Sequence, residues 1–207
     1  MGNDQKITWL HTKIYLISNM DSDLCAIICA NDVSKRKEKE NQLLQQAECD
    51  TLTGLLNRRS FQAYAEKHLQ ESVAGTSALM IIDVDDFKQM NDRWGHIFGD
   101  SVLTLISDTM KNCFRQGDFI SRIGGDEFMI LANGRSLSIQ TLEDRLMNMQ
   151  RLLKNTPTPD NGSVDITLSI GVAIIHNGET FEDIYDRADK ILYEVKRQGK
   201  NGFKVVA

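Results

Sequence analysis

From Asp50 onward the chain alternates between apolar positions spaced for helices and apolar runs suited to strands. Phe61, Tyr64, Ala65, His68 and Leu69 fall on one helical face. Ala78–Val84 is an apolar run that closes on acids, the pattern of a buried strand. Val102, Ile106, Met110 and Cys113 mark a second helix. Phe119–Ile123 and Phe128–Leu131 flank a glycine turn and predict a hairpin. Ile139, Leu142, Leu146, Met149 and Leu153 mark a third helix. Val164, Ile166, Leu168, Ile170, Val172 and Ile174 alternate strictly, as a half-buried strand does. Phe181, Ile184, Tyr185, Ala188, Ile191, Leu192 and Val195 form the stripe of a last helix. The order helix, strand, helix, hairpin, helix, strand, helix predicts an α+β fold, with helices laid on a largely antiparallel sheet.

Ahead of Asp50 the pattern is thinner. Lys13–Ser18 and Leu24–Ala30 read as strands separated by the polar turn Asn19–Asp23. Two strands cannot bury a core, so residues 1–33 are expected to be the end of something larger. Ser34–Glu48 is rich in Lys, Glu and Gln and predicts a helix capped by Asp32 or Ser34. Residues 34–49 then form either a solvated linker or a short parallel coiled coil. The apolar positions Leu43, Leu44 and Ala47 are too few to choose between them. Residues 50–207 make the main domain.

Composition narrows the function. The chain has 207 residues, 41% of them hydrophobic, enough for one well-packed domain and an appendage. A net charge of -5 argues against broad nucleic-acid binding, which needs a basic face. It leaves nucleotides open, because metal ions and local lysines offset phosphate charge. Runs such as Leu79–Ile82 are far too short to span a bilayer, and no charged-then-apolar signal pattern opens the chain. A soluble, cytoplasmic protein is expected. Cys25, Cys29, Cys49 and Cys113 form no C-x-x-C pair and lack histidines at zinc spacing, so they are expected to be small buried hydrophobes.

The chemistry gathers at the strand ends. Asp83 and Asp85 alternate onto one face, with the main-chain oxygen of Val84 between them. Gly124-Gly125-Asp126-Glu127 puts two more carboxylates on the hairpin turn. Acids cap many strands and turns, but two acidic tips in one small sheet can converge on a hard divalent cation. Between them, Asn91 and Asp100 offer an amide and a carboxylate, the groups that a guanine edge requires. Lys88 can meet phosphate as a point charge, and Lys196 and Lys200 flank Gly199 as a second phosphate clamp. Each lysine taken alone would be ordinary solvated surface.

The spacing of these residues resembles the GGDEF family of diguanylate cyclases. Asp50-Thr51-Leu52-Thr53-Gly54-Leu55-Leu56-Asn57-Arg58 is similar to its opening D-x-L-T-G-L-x-N-R signature. Asp83-Val84-Asp85-Asp86-Phe87-Lys88, Asn91-Asp92, Gly95-His96 and Gly99-Asp100 match its D-x-D-x-F-K-x-x-N-D-x-x-G-H-x-x-G-D block without a gap. Arg122-Ile123-Gly124-Gly125-Asp126-Glu127-Phe128 carries the signature itself. Ser169-Ile170-Gly171-Val172-Ala173, Ala188-Asp189, Leu192-Tyr193, Lys196 and Gly199-Lys200-Asn201 complete the match. Upstream, Asn31–Lys37 is similar to the exit of PAS sensor domains.

The resemblance implies a ferredoxin-like sheet related to the palm of nucleotidyl cyclases and polymerases. It implies condensation of two GTP into cyclic di-GMP, by attack of one 3′ hydroxyl on the α-phosphorus of the other GTP. Asp83, the main-chain oxygen of Val84 and Asp126 would bind Mg²⁺, or Mn²⁺ in its place, with Glu127 in support. Asn91 and Asp100 would read guanine, with His96 lining the site. Phe87, Lys88, Lys196 and Lys200 would hold the triphosphate, and Asp126, Glu127 and Lys88 would carry the chemistry. Position 200 often holds arginine in the family; lysine here keeps the charge and gives up bidentate contact. A homodimer is implied, because each domain holds one GTP. Arg115-Gln116-Gly117-Asp118 stands at the spacing of the family's R-x-x-D site, where product feeds back; the alternative is a surface ion pair. Two other functions stay open: an inactive module that senses cyclic di-GMP or mediates association, and another nucleotidyl cyclase that makes a cyclic mononucleotide or a mixed dinucleotide.

Overall fold

The computed structural model describes residues 8–18, 24–71, 77–134 and 137–207. Two compact units result, Met1–Ala47 and Glu48–Ala207.

In the first unit, β1 (Leu10–Ser18) and β2 (Leu24–Asp32) pair antiparallel, from Leu10 opposite Asp32 to Ser18 opposite Leu24. Both strands run longer than their apolar cores suggested, because the ladder continues to Leu10 and Asp32. The expected turn Asn19–Asp23 lies outside the described residues. Leu10, Ile14, Leu16 and Ile28 on this hairpin are exposed. The helix α1 (Ser34–Glu48) follows where the sequence placed it. Of its two expected caps, Asp32 does the work: its carboxylate accepts from the Ser34 N–H at 2.8 Å. The Ser34 hydroxyl instead accepts from the Trp9 N–H at 2.9 Å.

The second unit is built on β3 (Ser77–Val84), the middle of a five-stranded sheet. β5 (Glu127–Asn133) and β8 (Leu168–Ile174) flank it antiparallel; β4 (Phe119–Gly124) pairs with β5 on one edge, and β9 (Gly202–Val206) runs parallel to β8 on the other. A two-residue pair, β6 (Thr156–Pro157) and β7 (Ser163–Val164), stands apart. The helices are α2 (Arg58–Glu71), α3 (Phe87–Trp94), α4 (His96–Cys113), α5 (Ile139–Leu152) and α6 (Phe181–Arg197). The expected α+β layering with a mostly antiparallel sheet is what forms.

Alternation along β3 explains the layering. Met80 and Ile82 pack with Val102, Ile106 and Met110 of α4 and with Leu142, Leu146 and Met149 of α5. Leu79 and Ile81 pack with Phe61 and Ala65 of α2 and with Ile184, Ala188 and Leu192 of α6. Burying each such side chain contributes about 1.5–3 kcal/mol, so helices cover both faces.

Three expectations change. β8 is buried on both faces rather than half-buried, and it begins only at Leu168. Its alternate positions Ser169, Gly171 and Ala173 are small, which lets α6 lie directly on the strand. A Cβ on Gly171 would stand 2.2 Å from the Ala188 carbonyl oxygen. The segment between β3 and α4 is also a helix, α3, whose stripe Phe87, Met90 and Trp94 was hidden among polar residues. Finally, three of the cysteines are not buried: Cys29 is exposed, and Cys49 and Cys113 are partly exposed, while the Cys25 side chain lies outside the described residues. Cys29 sits on the β1–β2 hairpin, and Cys113 ends α4 beside Asn148, whose amide lies 3.6 Å from its sulfur. Among the described residues, no helix is long and apolar enough to cross a membrane.

Candidate active site

β3 delivers Asp83 to the sheet edge, opposite Glu127 at the start of β5. The turn between β4 and β5 therefore hangs beside the β3 tip, and the Val84 N–H donates to the Asp126 main-chain oxygen at 3.1 Å. Gly125 has φ 52°, a left-handed conformation that glycine adopts without strain. Asp83, Val84, Asp126 and Glu127 thus meet at one edge, although Asp83 and Asp126 are 43 residues apart (126 − 83).

Electrostatics at this edge are unbalanced. Burial pushes the Asp83 carboxyl above its usual range; the Lys196 ammonium, 2.7 Å away, opposes the shift, while Asp126 and Asp85 add to it. Burial likewise pushes Glu127 up, with Asp83 and Asp126 adding to the effect. Lys196 supplies positive charge to this cluster and pairs with Asp83, but burial and the neighbouring acids outweigh it. Two carboxylates and a peptide oxygen form an all-oxygen donor set that fits a hard divalent ion such as Mg²⁺. The set is open: among the described residues, no three His, Cys, Asp or Glu side chains are grouped as a cage. An ion there would complete its shell with phosphate or water oxygens.

The residues expected to hold phosphate adjoin the acids. Asp86 caps α3 in a left-handed conformation, φ 55°, and makes no side-chain cap hydrogen bond. The first-turn N–H groups of Phe87 and Lys88 therefore lack helical partners at an end that favours anions. Lys88 is exposed. The turn after α6 brings Lys200 within 2.8 Å of the Asp86 carboxylate, and that hydrogen bond holds the Lys200 ammonium above its usual range.

Asn91 and Asp100, the residues expected to read guanine, lie where α3 meets α4. Gly95, φ 85°, breaks the helix and folds the two pieces against each other. A Cβ at Gly99 would lie 1.9 Å from Asn91 Oδ1, so the Asn91 amide rests on the bare backbone of α4, one residue from Asp100. Asp100 and His96 are exposed on the same helix.

Arg115 and Asp118 lie elsewhere. The Asp118 side chain is fully buried and accepts from the Asn133 N–H, the Arg115 N–H (both 3.1 Å) and Arg145 Nη1 (3.2 Å). Its carboxylate fastens the entry of β4 to the end of β5, about 20 Å along the hairpin from Asp126 at 3.3 Å per residue. Arg115 is half-exposed and donates to the Asn133 main-chain oxygen. Arg115 Nε also lies 3.7 Å from Asp118 Oδ1, so the two residues pair with each other, the Asp118 side chain enclosed and the Arg115 side chain half-exposed. Sequence separation made the pair look close to the hairpin tip, whereas strand direction carries it away.

Several contributors had no expected role. Arg122 donates to both Asp50 oxygens at 3.2 Å and to the Gly125 carbonyl oxygen at 2.9 and 2.8 Å. It ties the β4–β5 turn to the Asp50–Leu55 turn. Burial alone would raise Asp50, but hydrogen bonds from Thr53 and Arg122 outweigh it and hold the carboxyl below its usual range. Their presence at the ends of the two matching motifs was the available signal. Arg145 had none. A cleft of about 360 Å³ lined by Glu66, His176 and Glu179 lies past the other end of β8, away from the acids.

Comparison with known proteins agrees with this geometry. Residues 47–202 match the family described as diguanylate cyclase, GGDEF domain. The chain is 34% identical over 185 residues to diguanylate cyclase DgcM of Escherichia coli, covering 86% of this chain and 43% of DgcM. It is 33% identical over 174 residues to diguanylate cyclase VdcA of Vibrio cholerae, covering 82% of this chain and 50% of VdcA. The chain therefore spans half or less of the length of these relatives. The coiled coil and GGDEF domain of DgcB from Caulobacter crescentus, solved in complex with c-di-GMP, superposes with a TM-score of 0.76 at 27% identity, covering 84% of this chain and 93% of that one. With its signature intact and its palm-like sheet shared with these structures, the chain belongs to the GGDEF diguanylate cyclase family.

Proposed function

We propose that this chain condenses two GTP into cyclic di-GMP and two pyrophosphates. The observation that carries the reading is the meeting of Asp83, Val84, Asp126 and Glu127 at one sheet edge, with Lys196 and Lys200 beside them. Asp83, the Val84 main-chain oxygen and Asp126 hold Mg²⁺, or Mn²⁺ in its place. Bound there, the ion supplies positive charge for the phosphate oxygens and lowers the pKa of the attacking hydroxyl. Phe87 and Lys88 present N–H groups to the phosphates, and Lys196 and Lys200 leave their carboxylate partners to neutralise the triphosphate. Glu127, its carboxyl raised by burial, is suited to take the proton released by the 3′ oxygen. Asn91 and Asp100 read the guanine edge, and His96 borders it. Two such half-sites must face each other, so a homodimer forms in turnover. Residues 1–33 serve as the end of a PAS-like sensor domain, and 34–49 as the helical linker that raises the effective concentration of the catalytic domains.

Arg115 grips the product as a feedback ligand, with Asp118 setting its loop. The solved DgcB complex with c-di-GMP shows that a GGDEF protein of this fold takes that nucleotide. Incubation with Mg²⁺ and GTP, ATP or both, followed by mass analysis, tests the main reading: cyclic di-GMP from GTP alone is expected. Absence of any cyclic dinucleotide, from protein shown to be folded and dimeric, would overturn it.

Gly99→Ala tests the guanine assignment. Alanine suits a helix interior better than glycine by about 1 kcal/mol, and the clash falls on the end of a flexible side chain. Folding should survive while the Asn91 amide is displaced. The expected result is a thermal midpoint at or above the parent's, with KM for GTP raised roughly tenfold or more, the loss of one polar contact to the base.

A further inference from the structure

We propose that Asp85 is a positioning residue, which holds the phosphate-binding turn after α6 against the metal-bearing tip of β3. The proposal rests on the assignment of Lys196 and Lys200 to the triphosphate. Three acids of the tip engage the end of α6 or the turn after it: Asp83 meets Lys196, in the last turn of α6, at 2.7 Å, Asp86 meets Lys200 at 2.8 Å, and Asp85 Oδ2 accepts from the Asn201 N–H at 2.9 Å. The first two contacts are partly or largely exposed ion pairs, and both lysines must leave them to reach phosphate. The third is different in kind. Asp85 is 4% exposed and Ser169 is fully buried, and the Ser169 hydroxyl donates to Asp85 Oδ1 at 2.6 Å. The Asp85 N–H donates in turn to the Thr167 carbonyl oxygen at 3.0 Å.

Each carboxylate oxygen of Asp85 therefore already accepts a hydrogen bond within the protein, whereas Asp83, which shares its face, meets the partly exposed Lys196 ammonium. The turn it holds needs an outside restraint. Gly199, Lys200 and Asn201 have φ of 117°, 62° and 47°, a run of left-handed conformations that includes two non-glycine residues. Such a run persists only where surrounding contacts over-determine it. Directly after it, Gly202 enters β9 opposite Ser169, the residue that also bonds Asp85. One buried carboxylate thus links the metal-bearing strand, β8 and the turn carrying Lys200, and it stays in place when the lysines turn to substrate.

The test is calorimetric binding of a non-hydrolysable GTP analogue and of GMP, with Mg²⁺, to Asp85→Asn and Ser169→Ala in the whole chain. The asparagine amide can accept from only one of the two donors with its single oxygen. Asp85→Asn is expected to weaken the triphosphate at least tenfold and GMP less than twofold; Ser169→Ala is expected to weaken the triphosphate about threefold and supplies the answer if Asp85→Asn does not fold. Equal losses for both nucleotides, or no loss, would overturn the proposal. Lys196→Ala and Lys200→Ala in the same assay separate the failures. If they weaken the triphosphate while the Asp85 and Ser169 variants do not, the positioning role alone falls. If they too leave it unchanged, the phosphate assignment falls and takes this proposal with it.

Discussion

Asp126→Ala should fold as the parent does and form no cyclic di-GMP. Asp126 reaches β3 through its main-chain oxygen, which accepts from the Val84 N–H and survives the substitution. Its side chain adds negative charge to an edge where Asp83 and Glu127 are already pushed above their usual ranges. Removing that charge relieves repulsion, so the thermal midpoint should stay level or rise slightly. The loss appears only when phosphate charge must be met. With one of the two carboxylates proposed to hold the ion gone, turnover should drop by about 10³-fold or more. Rate measurement with GTP and Mg²⁺, alongside thermal unfolding, checks both halves. Near-parent turnover would show that the ion is held elsewhere.

The second large effect separates the two ends of the R-x-x-D motif. Asp118→Ala removes a fully buried carboxylate and leaves the Arg145 guanidinium and two backbone N–H groups without their acceptor. Breaking a buried pair on one side costs about 3–5 kcal/mol. In a protein of this size that is a fall of roughly 6–20 °C in the unfolding midpoint. Arg115→Ala deletes a half-exposed side chain and should cost about 1 kcal/mol or less. Its effect should instead be functional: progress curves that no longer flatten as cyclic di-GMP accumulates, with initial rates unchanged. Unfolding scans and inhibition by added product decide the matter. An Asp118→Ala midpoint equal to the parent's would contradict the fastening role, and undiminished inhibition of Arg115→Ala would reduce the motif to structure alone.

Much of this protein is legible in one dimension. A helix repeats its apolar face every three or four residues and a strand every two, so α2, α4, α5, α6, β3 and the β4–β5 hairpin declare themselves locally. The acids at the β3 tip and in the glycine turn are also local facts, and their spacing names the family. Three dimensions decided how those acids are engaged. Asp83 and Asp85 share a face by alternation, yet the Ser169 hydroxyl, 84 residues away in sequence, donates to Asp85, whereas Asp83 meets the partly exposed Lys196 ammonium. Asp118 looks as available as Arg115 until β5 returns the Asn133 N–H to it. Arg122 and Asp50, 72 residues apart, show their purpose only as partners across the fold. β8 hides its second face because Gly171 admits α6, a contact that strand periodicity does not encode. Apolar period reports which face of an element is buried. The partner that meets a polar group is chosen by strand order and helix placement, and these arise only when the whole sheet closes.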